Sequence, residues 1–253
     1  MTTLNNNFNG GPSGTTLTTG NTGQFGDNAF DVVNSSGIGT TLLFGNSDTY
    51  GVSRPTGEFM LVTAGGTNSA PKVTWSTSMG SVSQFWLRFY AYCVGVVSGT
   101  NDMCLFSAYK SATEEMSLVI RNTASPFCLE IQDSGATITN TSVGVASGAW
   151  FRVEMTVNVT AGTSTVNYYA GADVDTNNVT ATASQSGGSY GGTTCNSFSL
   201  GQDIISSTGV PTIYYANFQL NNTGFPGPAP FRRGLGNPAG NLTTPLAIHS
   251  AVD

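Results

Sequence analysis

Residues 82–97 read VSQFWLRFYAYCVGVV, and the side chains of this stretch separate cleanly at a period of two. Phe85, Leu87, Phe89, Ala91 and Cys93 fall on one face and are all apolar. Trp86, Arg88, Tyr90 and Tyr92 fall on the other, a mixed aromatic and polar set that can pack under a covering segment or meet water or a ligand. Alternation of this kind marks a long β-strand whose two faces have different jobs. A helix, with its period of about 3.6 residues, would scatter Arg88 and the tyrosines through the apolar stripe.

Working outward, Ser98-Gly99 is a turn signal, and the apolar stretch beyond it is expected to fold back as the second arm of a hairpin. Pairing Val97 with Thr100 sets Cys93 opposite Cys104, Ala91 opposite Phe106 and Phe89 opposite Ala108, so that the apolar faces coincide. A second stretch, residues 149–159 (AWFRVEMTVNV), repeats the plan. Phe151, Val153, Met155, Val157 and Val159 share one side; Trp150, Arg152, Glu154, Thr156 and Asn158 share the other. Strands of this type predict two facing sheets around a common core.

The chain has 253 residues, of which only 9% are charged, and a formal net charge of -6. Gly, Ser, Thr and Asn are abundant throughout, so the surface is polar but mostly uncharged. The acidic balance and the lack of a basic patch in the domain argue against a nucleic-acid partner, which needs clustered cations to displace counterions. No apolar run approaches the length that spans a bilayer, and MTTLNNNFNGG has neither a cationic nor an apolar leader region. The expectation is synthesis in the cytosol, with any exit by a route such as lysis. Cys93, Cys104, Cys128 and Cys195 lack metal-site or dense disulfide spacing and read as buried thiols, with a Cys93–Cys104 bridge the alternative that the hairpin leaves open.

Along the chain, residues 5–31 are glycine-punctuated and low in charge, with Phe8, Leu17, Phe25 and Phe30 as isolated apolar anchors. They predict an ordered, turn-rich edge, because solvated linkers do not carry aromatics at such intervals. Short strands are expected at 39–44, 58–62, 71–76, 116–121, 127–132, 165–170, 178–183, 196–201 and 212–220, in addition to those above. About a dozen strands with no long amphipathic helix indicate an all-β, two-sheet antiparallel jelly-roll sandwich. A single domain over residues 1–225 is expected, followed by a Pro-rich extended arm over 226–253.

The opening NNFNGGPSGTTLTTGNTGQFGDNAFDVV, the SRPTGEFMLVT segment, QFWLRFYAY, AWFRVEMTVNVTAGTSTVNYYAG and the closing IYYANFQLNNTGFPGPAP together resemble the laminin-G-like, concanavalin A-like jelly rolls of virion proteins from phages that infect actinobacteria. The resemblance runs over about residues 5–230. Those proteins usually carry paired aspartates just before the closing TG-x-x-GP, where this chain has Ala216 and Asn217. What the resemblance implies is a non-enzymatic structural protein of a phage particle, made in the host cytoplasm and built into the virion. Capsid decoration or a head fibre is the first placement and a minor tail protein the second. Other virion proteins and further copies of the same chain would be its partners.

Residues 231–253 include Phe231, the pair Arg232-Arg233, and an apolar ending with Leu246 and Ile248. This segment is either a disordered tail or, the reading preferred because of its apolar end, an arm that attaches the domain to a neighbouring subunit. His249 in the same segment is the only histidine, which removes histidine-based triads and zinc sites from the domain. Glu130 and Gln132 share a face, but no run of alternating carboxylates of the glucanase type exists, and no cofactor is expected. Asp173, Asp175 and Asn177 are weak calcium candidates, since glycine at the sixth position and glutamate at the twelfth are missing from the loop. Gly187–Gly192 reads as a mobile surface loop. There remains the face of Trp86, Arg88, Tyr90 and Tyr92. It is either a glycan platform, with rings for stacking and polar groups for hydroxyls, or a face covered by chain termini or a partner. The covered reading is preferred, because no amide or acidic cluster can be placed beside these residues from sequence.

Overall fold

The computed structural model describes residues 2–24, 26–37, 39–46, 58–63, 70–94, 103–121, 128–133, 136–176, 179–188, 192–201 and 212–228. Fifteen strands run through them: β1 (Thr3–Asn6), β2 (Val32–Asn34), β3 (Thr41–Asn46), β4 (Glu58–Thr63), β5 (Lys72–Trp75), β6 (Gln84–Val94), β7 (Met103–Lys110), β8 (Thr113–Arg121), β9 (Cys128–Asp133), β10 (Ala136–Gly144), β11 (Trp150–Asn158), β12 (Thr163–Ala170), β13 (Ala183–Gly187), β14 (Ser197–Gly201) and β15 (Thr212–Asn221). One 3-10 turn, Gly171–Asp175, follows β12. An eight-stranded sheet has the order β13-β12-β11-β6-β15-β4-β3, with β1 also pairing along β15. The seven-stranded sheet runs β10-β9-β8-β7-β14-β5-β2.

The inner faces of the two sheets meet in one core, and the period-two reading assigns its central residues correctly. Phe85, Leu87, Phe89, Ala91 and Cys93 of β6 and Phe151, Val153, Met155 and Val157 of β11 are buried there. They face Phe106 and Ala108 of β7, Met116, Leu118 and Ile120 of β8, and Phe198 and Leu200 of β14. Tyr215 spans the core, its hydroxyl donating to the Leu105 carbonyl at 3.3 Å. The phenol is fully buried, and that burial pushes its pKa well above the ordinary range.

The expected hairpin after β6 is corrected. Strand β6 pairs with β11 on one side and β15 on the other, whereas β7 lies in the opposite sheet between β8 and β14. Cys93 therefore does not pair with Cys104, nor Ala91 with Phe106, nor Phe89 with Ala108. Matching apolar faces are satisfied as well by facing across a core as by lying side by side, and both hydrogen-bonding edges of β6 are already taken. All four cysteines are free thiols. Burial pushes Cys93 up to about 12 and, aided by the Glu115 charge, Cys195 up to about 12, which suppresses thiolate chemistry.

The amino-terminal segment is ordered among its described residues, as its spaced aromatics imply. Phe30 stacks on Trp75 at 4.8 Å, Trp75 on Phe218 at 4.7 Å, and Phe8 extends the stack from Phe30 at 6.0 Å. Asn6, fully buried, donates to the carbonyls of Thr22 and Asn28 and accepts from the Phe8 amide. Asp27 accepts from the Asn7 amide at 2.9 Å, closing the same loop. Phe25 lies outside the described residues.

Most expected strands fall within a few residues of those observed. The strand expected at 178–183 is displaced to Ala183–Gly187, because the 3-10 turn uses the residues immediately after β12. Strands β1, β2 and β10 were not expected, being short or rich in Thr, Asn and Ser without strong alternation.

Candidate binding face of the eight-stranded sheet

Directly opposed residues of antiparallel strands share a face, so the register lays out the outer side of the eight-stranded sheet in rows. One row is apolar and aromatic: Leu43, Leu61, Tyr214, Tyr92 and Trp150, on β3, β4, β15, β6 and β11. Phe59 joins it edge-on to Tyr214 at 5.1 Å; Tyr214 meets Tyr92 at 5.7 Å, and Tyr92 meets Trp150 at 5.6 Å. A Cβ on Gly45 would stand 2.2 Å from the Phe59 ring, so glycine is what lets that ring lie flat over β3.

The next rows carry charge. Arg152 is paired with Tyr90 and Tyr169, and Glu154 with Arg88 and Asn167. Arg152 is 2% exposed; its Nη1 donates to the carbonyls of Val174 at 2.7 Å and Thr176 at 3.3 Å, and its guanidinium lies 3.9 Å above the centre of the Tyr169 ring. It thereby ties the 3-10 turn down onto β11. Arg88, 4% exposed, donates from Nη1 to the Gly227 carbonyl at 2.7 Å and from Nε to the Asn217 carbonyl at 3.4 Å. One arginine thus holds the segment after β12, and the other holds the segment after β15.

Glu154 lies between these two cations. Its Oε1 is 3.2 Å from Arg152 Nε, within ion-pair reach, yet both atoms are buried without an aligned hydrogen bond. Burial raises the carboxyl pKa, and the Arg152 and Arg88 charges together with the Tyr169 hydroxyl offset that only in part. Two residues on, Thr156 Oγ1 is also buried and without a partner. Thr156 opposes Trp86 on β6 and Thr165 on β12, and Trp86 in turn opposes Asn221 on β15.

This geometry divides the four residues expected to form one face. Tyr90 is fully buried and Arg88 nearly so, which removes both as ligand contacts; Trp86 and Tyr92 are partly exposed and belong to different rows. The middle of the face is buried, and its Trp86 end is partly exposed. Sequence reasoning missed Gln219 and Asn221, because a bulge between Ala216 and Gln219 shifts the alternation of β15. The bulge residue Asn217 has φ 51°, a left-handed conformation that asparagine and aspartate tolerate best.

The other expected sites are placed as follows. Asp173 and Asp175 lie in the 3-10 turn, where alternate residues project in different directions, and Asn177 lies outside the described residues. Among the described residues no three His, Cys, Asp or Glu side chains cluster as metal ligands. Glu130 and Gln132 do share a face, the outer side of the seven-stranded sheet, with Gln132 Nε2 donating to Glu130 Oε1 at 2.9 Å. Gly187 closes β13, while Ser189–Gly191 lie outside the described residues. Residues 231–253, including Phe231, Arg232, Arg233, Leu246 and Ile248, also lie outside them.

No family model matches the chain, and no curated protein matches it. Solved structures do. A cellulose-induced protein aligns over 87% of this chain and 97% of its own, at 13% identity and a TM-score of 0.56. An alginate lyase of polysaccharide lyase family 7 aligns over 64% and 77%, at 9% identity and 0.47. Lectin UEA-II, solved with galactose, aligns over 76% and 96%, at 11% identity and 0.43. The chain is an all-β, two-sheet antiparallel jelly roll. At these identities the likeness is one of fold.

Proposed function

We propose that this chain is a non-enzymatic structural protein of a phage virion, a jelly-roll domain displayed on the particle and attached through its C-terminal arm. Capsid decoration or a head fibre is the first placement and a minor tail protein the alternative. The observation that carries the reading is the fixed exit of the chain. After β15, the Asn221 side chain accepts from the amides of Thr223 and Gly224 at 3.0 Å each, and Arg88 then holds the Gly227 carbonyl. The segment bearing Phe231, Arg232, Arg233, Leu246 and Ile248 thus starts from a set point on the domain, as an attachment arm requires. The low charge of the chain suits repeated contacts with virion neighbours and with further copies of itself.

Gel densitometry of purified particles tests this directly. A copy number comparable with the major capsid protein supports decoration, a handful supports a tail or fibre position, and absence from particles overturns the reading. Deleting residues 231–253 is expected to abolish incorporation while leaving the domain folded; normal incorporation of the truncated chain would remove the arm from the argument. A second reading, a module contacting glycan on the host envelope, is favoured by the partly exposed indole of Trp86 among amide and hydroxyl side chains.

A further inference from the structure

The end of the eight-stranded sheet around Trp86 brings amide, hydroxyl and carboxyl side chains together beside one indole. On β6, Trp86 is partly exposed on the outer face. Thr156 stands beside it on β11 and Asn221 on β15. One step along the strands, Glu154 and Gln219 flank Arg88, and Asn167 lies beyond Glu154 on β12. Neighbouring strands are about 4.8 Å apart and same-face residues about 6.7 Å apart along a strand, so these groups surround the indole within the span of one or two sugar rings.

Their hydrogen-bonding capacity is only partly used. The Asn167 Oδ1 accepts from Ser184 Oγ at 2.7 Å and the Asn221 Oδ1 accepts two backbone amides, which leaves the –NH₂ of each to donate. Thr156 holds its buried Oγ1 without a hydrogen-bond partner, and Glu154, 6% exposed, meets Arg152 at Oε1 as an ion pair without an aligned hydrogen bond. Buried polar atoms without partners are rare, because each costs the desolvation of that group, and Thr156 Oγ1 beside a partly exposed ring points to a ligand that supplies a hydroxyl. Both cations of this face are committed: Arg152 holds the 3-10 turn and ion-pairs with Glu154 at 3.2 Å, and Arg88 holds Gly227.

We infer that Trp86, Thr156, Glu154, Asn167, Gln219 and Asn221 form a saccharide-binding site on the outer face of the eight-stranded sheet. The C–H face of a pyranose stacks on the Trp86 indole. Its hydroxyls donate to Glu154 Oε1 and Thr156 Oγ1 and accept from the amides of Asn167, Gln219 and Asn221. The inference rests on the second reading above and does not depend on how the chain is attached to a particle.

The test is titration of the full chain with cellohexaose, chitohexaose, mannohexaose and galactan, followed by intrinsic tryptophan fluorescence and calorimetry. Trp75 is fully buried, so a saturable fluorescence change reports on the outer-face indoles. At least one saccharide is expected to saturate below about 10 mM, with binding lost in Trp86→Ala and weakened about tenfold or more in Gln219→Ala with Asn167→Ala. Lys72→Ala, on the opposite sheet, should bind as the unaltered protein does, and thermal unfolding of each variant checks its fold. Binding that survives Trp86→Ala, or that is lost in Lys72→Ala, moves the site elsewhere and overturns this assignment while leaving a glycan reading standing. Failure to bind any of the four sinks both, and the particle assay is unaffected either way.

Discussion

The outer faces of the two sheets both bury polar side chains, yet they satisfy that polarity in opposite ways. On the seven-stranded sheet, short side chains close on each other. Thr74 and Ser199 share a hydrogen bond of 2.8 Å, Ser107 Oγ lies 3.2 Å from Cys104 Sγ, and Lys72 reaches the Tyr109 hydroxyl at 3.1 Å. On the eight-stranded sheet, long side chains reach away from the sheet to hold other segments; Arg152 Nε and Glu154 Oε1 meet as an ion pair without an aligned hydrogen bond, and Thr156 Oγ1 further along β11 has no hydrogen-bond partner. A face that completes its own hydrogen bonds is a wall, whereas one with unspent donors and acceptors is arranged around something additional.

The largest effect that would break this contrast is expected at Arg152. Arg152→Ala removes the donor to Val174 and Thr176 and leaves Glu154 buried beside Arg88 alone, which should cost about 3–5 kcal/mol. Denaturant unfolding measures it, and a loss below about 1 kcal/mol would mean that the network is wet rather than structural. On the other sheet, Ser199→Ala leaves Thr74 without its partner and should cost about 1–3 kcal/mol. Combining it with Thr74→Val should recover most of that loss, since replacing both partners by apolar groups of similar shape is nearly neutral. A double variant as unstable as the single would show the wall to be less self-contained than its geometry indicates.

A smaller effect sharpens the comparison through pH. Glu154 has a folded-state pKa raised by burial, so the folded protein binds that proton more tightly than the unfolded chain does, and stability from this group increases as pH falls through the folded pKa toward 4.5. Asp31 behaves in the opposite sense. Burial alone would raise its pKa, but the Thr77 and Ser76 amides, at 3.0 and 2.6 Å, with the Ser78 and Ser76 side chains, outweigh that and lower it. Its contribution is complete above the unfolded value of 3.8 and is lost as pH falls through the lower folded value. Unfolding free energies measured from pH 7 to pH 3 should therefore show Glu154→Gln losing its relative advantage in acid. Asp31→Asn should draw level with the unaltered protein only at the acid end. Parallel pH profiles for the two variants would contradict both assignments.

Much of the fold was legible because alternation is a local property. The inner residues of β6 and β11 follow from period two. The aromatic spacing of residues 5–31 likewise implied a packed edge, which Phe8 and Phe30 supply. The candidate site was half legible. Trp86 stood out, but Gln219 and Asn221 were hidden by the bulge at Asn217, and Glu154 gained its meaning only from the strands beside it.

The sequence by itself determined which residues alternate, which of them are apolar, and that the chain must bury one side of many short strands while exposing little charge. Only the tertiary structure decided which strand lies beside which. An apolar face specifies that it must meet another apolar face, but not whether that partner is a hydrogen-bonded neighbour or a strand of the opposing sheet. The strand after β6 therefore crossed to the other sheet, and β11 and β15 took the edges of β6. That choice, made over separations of about sixty to more than a hundred residues, is what sets Thr156, Glu154, Gln219 and Asn221 around Trp86.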